Sequence, residues 1–167
     1  RQERTGDLLE QNLWLYDASS RAKKLLHHRL LSPEEAQQAL WLQAWVPGDA
    51  ALYLVYALDR SNDPGTLYAL DVRNGEPRLI STDYLLIGGQ ATLARTSQVL
   101  LRQRRDLLGG PSRPSPVYVA QAAPDGTLMG VERLSPEDWF VGAVAWSPEG
   151  DRVVVERLEA QRHGTFT

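Results

Sequence analysis

A short apolar motif returns along this chain at an interval near fifty residues, and that interval limits the fold more than any single residue does. Leu13-Trp14-Leu15-Tyr16-Asp17 matches Leu67-Tyr68-Ala69-Leu70-Asp71 and then Val117-Tyr118-Val119-Ala120-Gln121, at spacings of 54 and 50 positions. A second motif, Ala44-Trp45-Val46-Pro47-Gly48-Asp49, returns as Ala145-Trp146-Ser147-Pro148-Glu149-Gly150-Asp151, with 101 positions between the tryptophans. The intermediate copy falls near Arg95. There the tryptophan and the Pro-Gly turn are lost, but the apolar run Val99-Leu100-Leu101 survives. Two independent motifs report one period, and a period of this size is the mark of stacked repeats.

Within each period the chain reads as short strands between tight turns. Ala51–Leu58 is rich in strand formers, Ser61-Asn62-Asp63-Pro64-Gly65 is a dense turn signal, and Thr66–Val72 is the next strand. Asn74-Gly75 is a two-residue hairpin signal because both positions must tolerate positive φ, and Arg78–Ser81 pairs back. The next period repeats the plan with Gln98–Arg104, a Pro/Gly/Ser loop from Gly109 to Pro116, Val117–Gln121, Pro124-Asp125-Gly126 and Leu128–Leu134. Val141–Trp146 and Arg152–Leu158 flank Pro148-Glu149-Gly150 in the last. About four strands per period is the layout of propeller blades. The expected fold is all-β, a partial β-propeller with about three four-stranded blades' worth of chain. Its approximate blades are 1–31, 41–82, 84–135 and 139–167. One segment breaks the pattern. Ser32-Pro33-Glu34-Glu35-Ala36-Gln37-Gln38-Ala39-Leu40 predicts a short inserted helix over 32–40, with Ser32 as N-cap, Pro33 in the first turn and Glu35 completing a capping box.

The stretch Ala145-Trp146-Ser147-Pro148-Glu149-Gly150-Asp151-Arg152-Val153-Val154-Val155 resembles the repeat signature of the TolB-like, WD40-related propellers, in which a strand enters a Ser-Pro-Asp-Gly turn and leaves as an apolar strand. Residues 66–81 and 13–17 resemble the second half of such a blade. The resemblance spans nearly the whole chain outside 32–40 and is weakest at 91–97. It implies a propeller of a bacterial, extracytoplasmic protein. It is nearly silent on function, because unrelated functions share the scaffold. Closed propellers have roughly four to eight blades, so three blades' worth of chain would leave sheet edges open. The remaining blades of a longer propeller, or additional copies, are needed to close the ring. The longer propeller is the first reading, since terminal repeats need covering.

Composition excludes several classes of function. Net charge is −3 and the pI about 5.6, without the basic face that nucleic-acid binding uses. The 43% hydrophobic and 23% charged content argues against disorder. There are no cysteines, hence no disulfide, thiolate metal site or cysteine nucleophile. No apolar run approaches the roughly 18 residues of a membrane span. The opening residues Arg1-Gln2-Glu3-Arg4-Thr5-Gly6 are polar, so no secretory signal is expected within them.

Few residues invite chemistry. His27 and His28 are adjacent, so on a strand they point to opposite faces, and with His163 they read as surface histidines rather than metal ligands. No cofactor or metal motif is present, and no nucleophile elbow or phosphate loop occurs. Glu34-Glu35 invites comparison with the glutamate pair that binds a substrate amino terminus in dipeptidyl-peptidase-like propellers. The aromatic context is missing, and a helix start favours acids anyway. A propeller glycosidase would need carboxylates about 5–10 Å apart in the channel, and no such inward pair is evident. Arg102, Arg104 and Arg105 form the basic cluster, with Arg102 and Arg104 expected on one strand face. They read first as a solvated blade face, and otherwise as the contact for an acidic partner. Trp45 and Trp146 sit at equivalent repeat positions and read as inter-blade packing. Trp14 is expected to face outward, and Trp41 and Trp139 are the freer aromatic candidates. The functional expectation is a non-catalytic binding module for a protein or small-molecule partner. The alternative is the gating propeller of a prolyl-oligopeptidase-like serine peptidase whose catalytic domain lies outside this chain.

Overall fold

The computed structural model describes residues 9–32, 38–46, 51–58, 65–87, 97–107, 114–147 and 149–158. The strands in chain order are β1 (Leu9–Tyr16), β2 (Lys23–Leu31), β3 (Gln38–Trp45), β4 (Ala51–Leu58), β5 (Thr66–Asp71), β6 (Pro77–Ser81), β7 (Tyr84–Leu86) and β8 (Gln98–Gln103). A four-residue helix α1 (Arg104–Leu107) follows, then β9 (Tyr118–Ala122), β10 (Leu128–Arg133), β11 (Phe140–Trp146) and β12 (Val153–Leu158). All pairing is antiparallel between sequence neighbours. Strands β3-β4-β5-β6 form one four-stranded sheet and β7-β8-β9-β10 another, while β1-β2 and β11-β12 form hairpins.

These sheets are stacked face to face, as side-chain parity shows. Successive residues of a strand point to opposite faces. In β5, Leu67 and Ala69 belong to a core shared with Val99, Leu101, Ala120 and Ala122 of the β7–β10 sheet. The intervening Leu70 and Tyr68 pack instead with Leu13, Leu15 and Leu26 of the first hairpin. In β8 the same division recurs: Val99 and Leu101 face backward, whereas Leu100 packs with Val141, Val144 and Val153 of the last hairpin. Each four-stranded sheet is therefore apolar on both faces and lies between two others, which is the blade arrangement of a propeller arc. Leu67, Leu70 and Leu101 are fully buried, and such burial is worth about 1.5–3 kcal/mol per side chain.

The turns carry a second repeated device. Asp17, Asp71 and Asp125 each accept a hydrogen bond at Oδ1 from the amide two residues on, at 2.8, 2.8 and 2.9 Å. These Asx contacts fix the reversal between β1 and β2, β5 and β6, and β9 and β10. Two of these turns press a glycine onto the preceding sheet. Gly75 has φ +74°, and a Cβ there would fall on the Leu26 carbonyl oxygen. Gly126 has φ +88°, and its carbonyl accepts a hydrogen bond from the buried Tyr53 hydroxyl at 2.9 Å. The first hairpin is pinned to the Gly75 turn by polar contacts as well. Lys24 Nζ donates to the carbonyls of Val72 and Arg73 at 3.1 and 2.8 Å, and His27 Nδ1 lies 3.2 Å from the Gly75 oxygen.

The helix expected over 32–40 is corrected in its C-terminal part. Residues 38–40 are strand, and Gln38 already pairs with Leu58 at the start of the β3–β4 ladder. Gln, Ala and Leu favour helix intrinsically, but that preference is weak against a ladder that runs on through Trp45. Residues 33–37, including Glu34-Glu35, lie outside the described residues. The one helical turn among the described residues is α1, where the sequence suggested strand up to Arg104.

Candidate functional site

The crossing from β6 to β7 and the exit from β8 lie at one end of the second four-stranded sheet, because Tyr84 pairs with Gln103. Ser81 Oγ accepts hydrogen bonds from the amides of Asp83 and Tyr84 at 3.1 and 2.8 Å and so turns the chain into β7. The Arg104 amide donates to the Asp83 carbonyl at 2.7 Å, which ties the start of α1 to that crossing. Between them opens a cleft of about 360 Å³ lined by Thr82, Asp83, Tyr84, Gln103, Arg104 and Arg105.

The groups in this cleft are set for polar recognition. Gln103 Nε2 donates to the Tyr84 hydroxyl oxygen at 3.1 Å, leaving the phenol hydrogen for an acceptor in the cleft. Tyr84 is itself held edge-on against Tyr118, ring centroids 5.4 Å apart. Arg105 is 74% exposed, and its ion pair with Asp106 is long at 3.7 Å. Burial raises the Asp106 carboxyl above its usual range while Arg105 pulls it down. Burial also raises the Tyr118 phenol. The arrangement offers guanidinium, amide and phenol donors to an anion. Among the described residues no group of three or more His, Cys, Asp or Glu side chains is placed to hold a metal ion.

The structure separates the arginines that the sequence grouped. Arg102 shares no strand face with Arg104, because α1 begins at Arg104 and turns that side chain away from the β8 alternation. Arg102 instead reaches the last hairpin, donating from Nη2 to the carbonyls of Val141 and Gly142 at 2.9 and 2.6 Å. A β-bulge between Val141 and Val144 takes that stretch out of the ladder. Glu156 Oε2 accepts from the Ala143 amide in the same bulge at 2.9 Å. Burial lowers the Arg102 pKa. This arginine is an inter-sheet staple. Trp139 lies far from the cleft residues in role, half-buried in the core between the last two sheets, with the Arg157 guanidinium 5.4 Å over its ring. Trp41 sits in β3, and its side chain lies outside the described residues. Sequence reading missed Tyr84, Gln103 and Asp83. The signal that could have found them is the strand-crossing Ser81-Thr82-Asp83-Tyr84, which reads as a turn opening onto the same end as Arg104.

A larger cleft of about 590 Å³ opens at the opposite end, between the two four-stranded sheets, lined by residues that include Asp71, Arg73, Arg78 and Asp125. Its guanidinium groups are already engaged. Arg73 grips Asp71 through two bonds at 2.7 and 3.1 Å. Arg78 binds Asp125 Oδ2 at 2.9 Å, the Asp125 carbonyl at 2.8 Å and Thr127 Oγ1 at 3.1 Å. Size favours this cleft, but its guanidinium groups are held at 2.7–3.1 Å, whereas Arg105 in the smaller one is held by Asp106 only at 3.7 Å.

No family model matches this chain, and no curated protein matches it either. Among solved structures it is similar to TolB from Acinetobacter baumannii, at 15% sequence identity and a TM-score of 0.48, over 83% of this chain and 30% of that one. The chain thus spans less than a third of that structure's length. No helix among the described residues is long and apolar enough to cross a membrane.

Proposed function

We propose that this chain is a non-catalytic propeller segment of an extracytoplasmic bacterial protein, and that it binds an acidic protein partner at the Arg104–Arg105 cleft. The observation that supports this reading is the 74% exposed Arg105 guanidinium, only loosely held by Asp106, beside the donors of Gln103 and Tyr84. Arginine's planar fork matches a carboxylate at two points, so an aspartate or glutamate side chain, or a chain terminus, fits the donor set. Placement outside the cytoplasm draws on the repeat resemblance alone.

A short glutamate-rich peptide, titrated by isothermal calorimetry at low and high salt, tests the reading. Binding is expected to weaken with salt, since exposed charges are screened over about 8–10 Å. The double variant Arg104→Ala/Arg105→Ala is expected to weaken it at least about tenfold, close to the loss of one charge-assisted hydrogen bond. Equal affinity in the variant, or no heat of binding to the unaltered chain, overturns the assignment.

A further inference from the structure

The 590 Å³ cleft between the two four-stranded sheets owes its depth to two methyl groups. Ala51 pairs with Asp71 and Tyr53 with Ala69, so these four side chains share the face of the first sheet that meets the second. Farther into that core Leu67, Val99 and Leu101 fill the space between the sheets. At this end only Ala51 and Ala69 stand there, both buried, and they make an apolar floor. The β9–β10 turn seats on this floor, since a Cβ at Gly126 would fall 2.7 Å from that of Ala69. Pro77 and Pro124 add apolar walls. Facing sheets stand about 10 Å apart, so the cleft is a slot that suits a flat body.

The charges on its walls do not balance. Asp71, Glu76 and Asp125 are three carboxylates against the two guanidiniums of Arg73 and Arg78, a net charge of −1 among the described residues that line the cleft. Asp71 is held through both oxygens by Arg73, and Asp125 by Arg78 and Thr127. Glu76 has no cation against it among the described residues. Its Oε2 accepts one bond, from Asn74 Nδ2 at 3.3 Å.

From this apolar slot with one unbalanced carboxylate at its wall we infer that the cleft binds a small organic monocation. Its flat apolar body lies over Ala51 and Ala69 between the prolines, and its ammonium group meets Glu76. The volume lies within the roughly 300–1,000 Å³ of small-molecule sites, which are likewise apolar with a few placed polar groups. A calcium or magnesium ion would need about six or more oxygen ligands, and the floor here is hydrocarbon. An anionic ligand would have to compete with Asp71 and Asp125 for the guanidiniums. The site is separate from the Arg104–Arg105 cleft and does not rest on its reading.

Tryptamine, an indole bearing an ammonium, and indole-3-propionate, the same ring bearing a carboxylate, are the probes. Each is titrated at neutral pH into the isotope-labelled 167-residue chain, and amide shifts are followed by NMR. Tryptamine is expected to move the amides of 69–78 and 125–127 saturably at millimolar concentration, and indole-3-propionate to move them more weakly. Glu76→Gln is expected to weaken tryptamine there about two- to fivefold, the range of a solvent-exposed ion pair, without weakening indole-3-propionate. Pro77→Trp changes an exposed wall residue and is expected to fill the slot and abolish these shifts, with unchanged far-ultraviolet dichroism. No saturable shift at 69–78, equal affinity for the two indoles, or a Glu76→Gln loss common to both overturns the proposal. Arg104→Ala/Arg105→Ala is expected to leave tryptamine binding unchanged, so the two clefts are judged apart.

Discussion

Tyr53 shows how one polar atom joins two sheets. Its ring is buried in the central core while its hydroxyl reaches the Gly126 carbonyl in the next sheet's turn. Tyr53→Phe keeps the ring and strands that carbonyl, so a loss of about 1–3 kcal/mol is expected by urea denaturation. The Asx aspartates make a prediction in pH. Hydrogen bonds from the Ser19 hydroxyl and the Ser20 amide hold the Asp17 carboxyl at about 2, against an ordinary 3.8. Arg73 holds Asp71 at about 2 as well. The folded chain thus binds these protons more weakly than the unfolded chain. Their contribution is complete above about pH 3.8 and is lost as the pH falls through about 2. Carboxyl resonances titrating near pH 2 are expected; midpoints near 3.8 would mean the turns are not held this way.

At the scale of elements, the last hairpin depends on a residue outside it. Arg102 holds the carbonyls of Val141 and Gly142, and Glu156 holds the amide of Ala143, so the bulge keeps its polar groups satisfied from two sides. Arg102→Met keeps length and apolar volume but removes two charge-assisted bonds, each worth about 1.5–3 kcal/mol. Hydrogen exchange over 140–158 is expected to quicken while the β3–β6 sheet stays protected. This role was not legible in the sequence, since it arises from a bulge some forty positions from Arg102. The strands were legible where local rules govern them. Asn74-Gly75 and Pro124-Asp125-Gly126 mark turns in which the glycine alone takes a positive φ, so the two-residue hairpin expected at Asn74-Gly75 is corrected to a longer reversal between Asp71 and Pro77, and the runs at 51–58, 66–72 and 152–158 carry strand formers. The 38–40 segment was misread because its residues suit a helix and only pairing with β4 makes them strand. The cleft was half legible, through Arg104 and Arg105. Tyr84 and Gln103 join it only through the register of β7 on β8.

Across the whole molecule, stability is expected to follow position in the stack rather than hydrophobicity alone. Leu101 is fully buried between the two four-stranded sheets, whereas Leu79 on the outer strand β6 is 51% exposed. Leu101→Ala is expected to cost roughly 2–5 kcal/mol through the cavity it leaves. Leu79→Ala is expected to stay within about 0.5 kcal/mol. Comparable denaturation midpoints for the two variants would contradict the stacked arrangement. The double duty of β5 and β8 also constrains how such a chain can change its length. A strand that lends alternate side chains to two walls has no neutral side to absorb an error. Deleting one residue from it exchanges the contents of both walls at once, whereas deleting two restores each wall one rung shorter. Insertions and deletions in relatives of this chain should therefore gather in the turns, and those that enter a strand should come in pairs.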